Sequence, residues 1–117
     1  MGTIAELKLR EDVPVVVADQ HGVIIYINQS FETVFQWASD EIVGKPLTTI
    51  IPPMLHDAHH LGFSRFLATE QSRVLNQALN LKAMKKDGEI FAAEHIIQAE
   101  KVDGVWLFAA SLRPLEG

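Results

Sequence analysis

The first third of the chain contains two short apolar runs. Residues 13–18 and 23–28 are rich in β-branched side chains, and the turn-forming residues 19–22 separate them. β-branched residues favour extended backbone, whereas Asp and Gly favour tight turns. The pattern therefore predicts a β-hairpin over residues 13–28.

The last third of the chain repeats this extended pattern three times. Apolar and polar positions alternate loosely over residues 73–85, 90–100 and 105–112. Residues 86–89 and 101–104 separate these runs, and both segments contain the Asp-Gly pair that is typical of tight turns. Three further strands are therefore predicted.

The middle of the chain has helical spacing instead. Residues 29–37 carry apolar side chains three and four positions apart, which predicts a short amphipathic helix. Residues 39–44 have the composition of a helical turn, with Ser39 or Asp40 as its cap and Gly44 as its left-handed end.

A longer helix is predicted over residues 52–67. Its first residues are two prolines, which are tolerated in the first turn of a helix and not in its interior. Imidazole titrates near neutral pH and binds iron, zinc and copper, so the histidines of this helix are candidates for sensing or ligand binding. They are His56, His59 and His60.

Two strands, several short helices and three strands thus follow one another. This segregated order favours an α+β fold, with an antiparallel sheet and helices on one face, over a doubly wound fold. The 117 residues, 48% of them hydrophobic and 21% charged, fit one packed domain. We expect a helical flank at residues 1–11, the domain at residues 12–114 and its exit at residues 115–117.

Charge and composition exclude several functions. The chain has no cysteine, which rules out disulfides, thiolate metal sites and a flavin-to-cysteine photoadduct. A net charge of −5 disfavours nucleic acid as a partner. No apolar run approaches the roughly 20 residues that span a bilayer, and no export signal is present at the N-terminus. We therefore expect a soluble, cytoplasmic domain without direct membrane contact.

Several short motifs resemble those of PAS domains. Together they extend over about residues 12–113, and their joint spacing is harder to meet by chance than any one motif. Gln36 stands where the family commonly has a glycine that serves a helix end. The matching pieces are Asp19-x-x-Gly22 with Ile24, Ile25 and Asn28, then Phe31, Gln36-Trp37, residues 41–47, and Lys85-Lys86-Asp87-Gly88 with Phe91 and Glu94.

The resemblance implies a five-stranded antiparallel sheet in the spatial order 2-1-5-4-3, with a pocket between its concave face and the helices. In this family the pocket holds haem, flavin, a small acid, a fatty acid or no visible ligand. The implied function is that of a sensor in a larger, bacterial signalling protein, such as a two-component histidine kinase. The implied partners are an effector domain of the same chain and a second copy, bound through the sheet face and the N-terminal helix with Ile4, Leu7 and Leu9.

The histidine helix is similar to one segment of the FixL-like haem PAS domains. By position in the pattern His59-x-x-Gly62-x-x-Arg65-Phe66, the resemblance implies His59 as the haem iron ligand and Arg65 as a propionate contact. Leu79 stands where that group has the arginine that contacts bound oxygen. Without a donor there, a haem would favour carbon monoxide, nitric oxide or redox sensing.

Other interpretations stay open. Residues 59 and 60 of a helix point about 100° apart, so both histidines cannot face one pocket. His59 is then either a haem ligand or a side chain that packs against the sheet or hydrogen-bonds locally, for example with Arg65. A zinc or copper site formed by His56, His60 and Asp57 is a third interpretation.

The cofactor itself stays undetermined, with haem ahead of flavin. Leu55, Phe63, Leu79 and Trp106 are candidates to line the pocket. A pocket filled by apolar side chains, among them Leu55 and Leu79, would indicate a ligand-free interaction and dimerisation module instead.

Catalysis is not expected, because the chain has no nucleophile elbow, phosphate-binding glycine loop or paired catalytic carboxylates. Two further positions carry specific expectations. Asn28 ends a predicted strand and should bond to backbone at the helix entry. Glu94 and His95 are adjacent on one strand, so only one of them can face inward, and an inward Glu94 would need a partner such as Lys86.

Overall fold

A computed structural model of the protein describes residues 4–70 and 75–115. These ranges contain five strands, four α-helices and two 3₁₀ turns, at Leu47–Ile50 and Pro53–Leu55. None of the described helices combines the length and apolarity needed to cross a membrane. The elements are α1 (Ile4–Lys8), β1 (Val15–Ala18), β2 (Ile24–Ile27), α2 (Gln29–Phe35), α3 (Ser39–Ile42), α4 (His56–Thr69), β3 (Ala78–Met84), β4 (Ile90–Val102) and β5 (Val105–Pro114).

The strands form one antiparallel sheet in the order β2-β1-β5-β4-β3, which confirms the predicted class and topology. β4 and β5 run further than the sequence pattern suggested. They are joined by the two-residue turn Asp103-Gly104, in which both residues have positive φ angles of 51° and 79°. Such a turn matches the twist of the flanking strands, so the ladder continues to Val102. β3 begins at Ala78, and residues 73 and 74 of the predicted strand lie outside the described residues.

The sheet buries apolar side chains on both faces. Val16 of β1 packs on the inner face against Phe31 and Phe35 from α2. Val15 and Val17 point to the opposite face, because successive strand residues alternate. This two-sided burial explains why residues 13–18 form a continuous apolar run instead of an alternating one.

Helix α1 covers the outer face. Ile4 and Leu7 are buried against Val15 and Val17, whereas Leu9 is 81% exposed. The apolar stripe that was expected to need a second protomer is therefore covered, apart from Leu9, by the chain's own sheet. Pairing of two protomers through this helix stays a prediction, and residues 1–3 of the predicted helical flank lie outside the described residues.

Asn28 connects the hairpin to α2 and to the N-terminal segment. Its Oδ1 accepts hydrogen bonds from the backbone N–H groups of Val15 and Phe31, each at 2.9 Å. Its Nδ2 donates to the carbonyls of Val13 at 2.8 Å and Arg10 at 3.0 Å. The expected backbone role of this residue is confirmed.

The predicted cap of α3 is wrong. The residue before this helix is Ala38, which has no acceptor in its side chain. The Ala38 N–H donates to Glu41 Oε1 at 2.9 Å, and the Ser39 N–H donates to Glu32 Oε2 at 2.8 Å. Two glutamates therefore satisfy the free amides in place of Ser39 or Asp40, since a longer side chain can reach amides outside its own turn.

Gln36 ends α2 in the left-handed conformation, with φ 65°. A side chain with a Cβ is strained there by about 1–2 kcal/mol, and glycine is not. Replacing this exposed residue, Gln36→Gly, should therefore raise the free energy of unfolding by about 0.5–1 kcal/mol after glycine's larger unfolded-state entropy is subtracted. Urea denaturation measures the change. The matched control Gln29→Gly, at an exposed helical position with ordinary φ, should lower it, and a decrease for both variants would contradict the strain argument.

Candidate functional site

An apolar cavity of about 500 Å³ lies between the inner face of the sheet and helix α4. The sheet forms its floor, while α4 and the segment before it form its roof. Most of the lining side chains are aliphatic or aromatic. The roof includes Leu55, Ala58, His59, Gly62, Phe63 and Phe66, and the floor includes Val16, Leu79, His95, Ile97, Phe108 and Ala110.

Aromatic contacts fix α4 over one end of the sheet. The ring centroid of Phe63 lies 4.9 Å from that of Phe108, and Phe66 lies 4.9 Å from Trp106 and 5.4 Å from Phe108. Phe63 and Phe66 share a helix face because they are three residues apart. Their packing holds the helix at one end and leaves the cavity open beside it.

His59 faces this cavity. It precedes Phe63 by one turn, and the two rings lie 5.8 Å apart and nearly parallel. Burial lowers the pKa of the His59 imidazole, and the charges of His60 and His56 lower it further. The imidazole is therefore neutral at pH 7, the form that ligates metals.

The other two histidines of α4 point elsewhere. His60 is exposed, as expected from the 100° turn between consecutive helical residues. His56 Nε2 lies 2.7 Å from the Ile51 carbonyl oxygen, to which it donates a hydrogen bond. Within residues 4–70 and 75–115, no three side chains of the His, Asp, Glu or Cys type are grouped to hold a metal ion.

The structure brings four of the six predicted cofactor-binding residues together and leaves two outside. Leu55, His59, Phe63 and Leu79 line the cavity. Arg65 is exposed and does not line it. Six residues turn an α-helix by about 240° beyond one full turn, so Arg65 cannot share the face of His59.

Trp106 also lies outside the cavity. Its Nε1 donates to Glu70 Oε2 at 3.2 Å, and Lys101 Nζ lies 3.1 Å from the same oxygen. Glu70 ends α4 in a left-handed conformation with φ 57°. The tryptophan therefore ties the end of the helix to the β4–β5 hairpin instead of facing a ligand.

The sequence did not single out His95 as a cavity residue, although it lines the floor. Its neighbour Glu94 faces the outer side and pairs with Arg113 at 3.2 Å. Lys86, the partner suggested for an inward Glu94, pairs instead with Glu41 at 2.7 Å. The alternation of the strand was a usable signal, but the register that turns His95 inward depends on β5.

The His95 imidazole is held by its own strand. Its Nδ1 lies 3.0 Å from the Ala93 carbonyl oxygen. Burial lowers the pKa of His95, and the hydrogen bond to Ala93 opposes this effect in part. The cavity thus presents two neutral imidazoles, one from the roof and one from the floor.

Comparison with known proteins agrees with this architecture. The sequence profile of the PAS domain family matches residues 12–113. An uncharacterized protein of Azorhizobium caulinodans is 34% identical over 102 residues, which are 86% of this chain and 14% of that protein's length. The chain thus spans a small part of this curated relative.

Two solved structures have the same fold. The PAS domain of a protein from Colwellia psychrerythraea superposes with a TM-score of 0.75 at 17% identity, covering 96% of this chain and 93% of that one. A PAS domain from a two-component sensor histidine kinase superposes with a TM-score of 0.72 at 12% identity, covering 93% and 90%. At such identities these likenesses support the fold.

Proposed function

The chain belongs to the PAS domain family, and from this membership we propose that it is the sensory module of a larger signalling protein, responding to a small molecule or cofactor held in the cavity. The observation that carries this proposal is the open volume of about 500 Å³ beneath α4. Binding pockets for small molecules commonly have volumes of this order and mostly apolar walls. In this proposal the domain regulates and does not catalyse.

The packing of the core favours a ligand sensor over an interaction module with a filled interior. Phe31 and Phe35 stack on each other with ring centroids 4.1 Å apart and belong to the packed inner core. Leu55 and Leu79 line the cavity without closing it. The large side chains of Phe31 and Phe35 therefore pack in the core and do not fill the cavity, so the space beneath α4 is left for a ligand.

The route from the cavity to the rest of the parent protein runs through β5. Its inner residues Phe108 and Leu112 line the cavity, and its outer residue Ala109 packs with α1. The strand ends at Pro114, beyond which the chain leads to the proposed effector domain. A ligand that binds two arrangements of α4 and β5 unequally would shift the balance between them, and this shift is the signal we propose. Pairing of two protomers belongs to the same proposal.

A haem-based gas or redox sensor is the second candidate, and His59 favours it. A neutral imidazole on the wall of an apolar cavity suits haem iron. The propionates of haem fit less well, because Arg65, the expected cation, is not among the described residues that line the cavity. When bound, haem would supply gas binding or one-electron chemistry, while His59 would hold it and the aromatic wall at Phe63 would exclude water.

One purified preparation tests both candidates. Mass spectrometry of the denatured domain should identify a released small molecule, and titration of the apo domain with haemin should give a Soret band that is sharpened and shifted relative to free haemin only in the second case. That band should disappear in His59→Ala and persist in the matched surface control His60→Ala. Equal weak spectra from all three proteins would remove the haem assignment. Absence of any released or added ligand would favour the interaction module.

A further inference from the structure

We propose that His95 is the hydrogen-bond acceptor that selects the ligand, and that the ligand is an uncharged, mainly apolar molecule with one hydroxyl or N–H donor. The inference rests on the proposed function, because it takes the cavity beneath α4 as the ligand site. It adds the chemical class of the ligand and the residue that recognises it.

The position of His95 makes it the polar point of an apolar floor. In the sheet register it lies opposite Leu79 of β3 on one side and Leu112 of β5 on the other. All three side chains line the cavity. The carboxylate of the preceding residue, Glu94, is on the outer face, where Arg113 binds it. A ligand on the floor therefore meets one imidazole between two leucines.

The hydrogen bond of His95 determines what this imidazole offers. A backbone carbonyl can only accept, so Nδ1 carries the hydrogen that is donated to Ala93 at 3.0 Å. In the neutral ring Nε2 is then an acceptor with a free lone pair. No donor from the described part of the chain contacts this nitrogen. A ligand O–H or N–H would satisfy it in mainly apolar surroundings, where a hydrogen bond is stronger than in bulk water.

The charge of the lining indicates an uncharged ligand. Among the described residues that line the cavity there is no Asp, Glu or Arg, and Lys82 is the one with a charged side chain. Lys82 is exposed, and strand alternation directs its side chain away from the face that carries Leu81 and Ala83. A charged ligand would lose its hydration without gaining a partner.

His59 is the natural comparison, because it is the other imidazole of the cavity. Its ring stacks beside Phe63 on the roof, and no hydrogen bond within residues 4–70 and 75–115 fixes which of its nitrogens carries the hydrogen. The His95 ring is fixed by Ala93, so its acceptor is already oriented. An acceptor that is already oriented loses less conformational entropy on binding a donor than one that must first be ordered. The oriented acceptor of His95 therefore favours ligands with a donor more strongly.

A matched pair of probes tests the inference. 2-Naphthol and 2-methoxynaphthalene have nearly the same shape, and only the first can donate. Titration calorimetry of the wild-type domain should give about three- to tenfold tighter binding of 2-naphthol, the range of one net hydrogen bond. The ratio should fall to about one in His95→Phe and stay at the wild-type value in the exposed control His60→Phe, which lies outside the cavity. His59→Phe tests the other imidazole of the cavity. Far-ultraviolet circular dichroism checks folding, and His95→Leu, which matches the flanking leucines, is the second variant.

Each of the other possible results of these binding experiments contradicts a specific part of the proposal. Equal wild-type binding of both probes removes the acceptor assignment and leaves the cavity as a ligand site. Collapse of the ratio in His59→Phe, but not in His95→Phe, transfers the role to the roof and overturns the inference. Binding of 2-naphthoate as tight as that of 2-naphthol overturns the uncharged class. If neither naphthalene binds, the inference falls together with the proposed ligand site.

Discussion

Replacing Asn28 with alanine should lower the free energy of unfolding by about 3–4 kcal/mol, because four backbone partners each lose a hydrogen bond of about 1 kcal/mol. The side chain is only 6% exposed, so water cannot fully replace it. Its partners belong to β1, to the first turn of α2 and to the N-terminal segment. One substitution therefore loosens three parts of the fold together.

Urea denaturation followed by circular dichroism measures this loss. The matched control is Asn80→Ala, at an exposed position on β3, which should change the free energy of unfolding by less than about 0.5 kcal/mol. Asn28→Asp tests the two donated hydrogen bonds separately. It keeps the two accepted bonds and turns both donated bonds into repulsive contacts with the carbonyls of Val13 and Arg10. A loss below about 1 kcal/mol for Asn28→Ala would contradict the prediction that the four buried hydrogen bonds of this side chain stabilise the fold.

The fold was largely predictable because its determinants are local. Apolar runs and tight-turn pairs mark the strands, and residues 29–37 have the spacing of a helix. The details that failed depend on distant contacts. The amides at the start of α3 are satisfied partly by Glu32, seven residues before Ser39. The rule that serine and aspartate cap helices considers only residues within one turn of the helix start. It therefore cannot predict a partner such as Glu32.

The candidate site was predictable in part. His59 could be identified because it belongs to a spaced motif on a helix. Alternation showed that Glu94 and His95 face opposite sides, but the choice between them depends on the register with β5, in which His95 lies opposite Leu112 and Glu94 opposite Arg113. Trp106 had the right chemistry for a pocket, yet Glu70 at the end of α4 holds it outside. Placing such residues requires the register between strands that are distant along the chain.

A second large effect should come from closing the cavity. Ala110 lies on the central strand β5 between Val16 of β1 and Ile97 of β4, and its small side chain leaves space above it. In Ala110→Phe the new ring would occupy part of that space. A ligand deprived of room for one aromatic ring loses burial of about 2–3 kcal/mol. We therefore expect 2-naphthol, a probe for the cavity, to bind about 30- to 150-fold more weakly.

The stability of the variant separates this effect from general damage. The added ring enters open volume instead of a packed core, so the usual overpacking penalty of about 1–3 kcal/mol should be largely avoided. The melting temperature without ligand should stay equal to that of the wild type or rise. Ala92→Phe is the matched control, because Ala92 lies on β4 outside the cavity, opposite Lys82, and should leave probe binding unchanged. Wild-type affinity in a folded Ala110→Phe domain would show that the probe binds elsewhere, and the sensor would then have to be sought outside the space beneath α4.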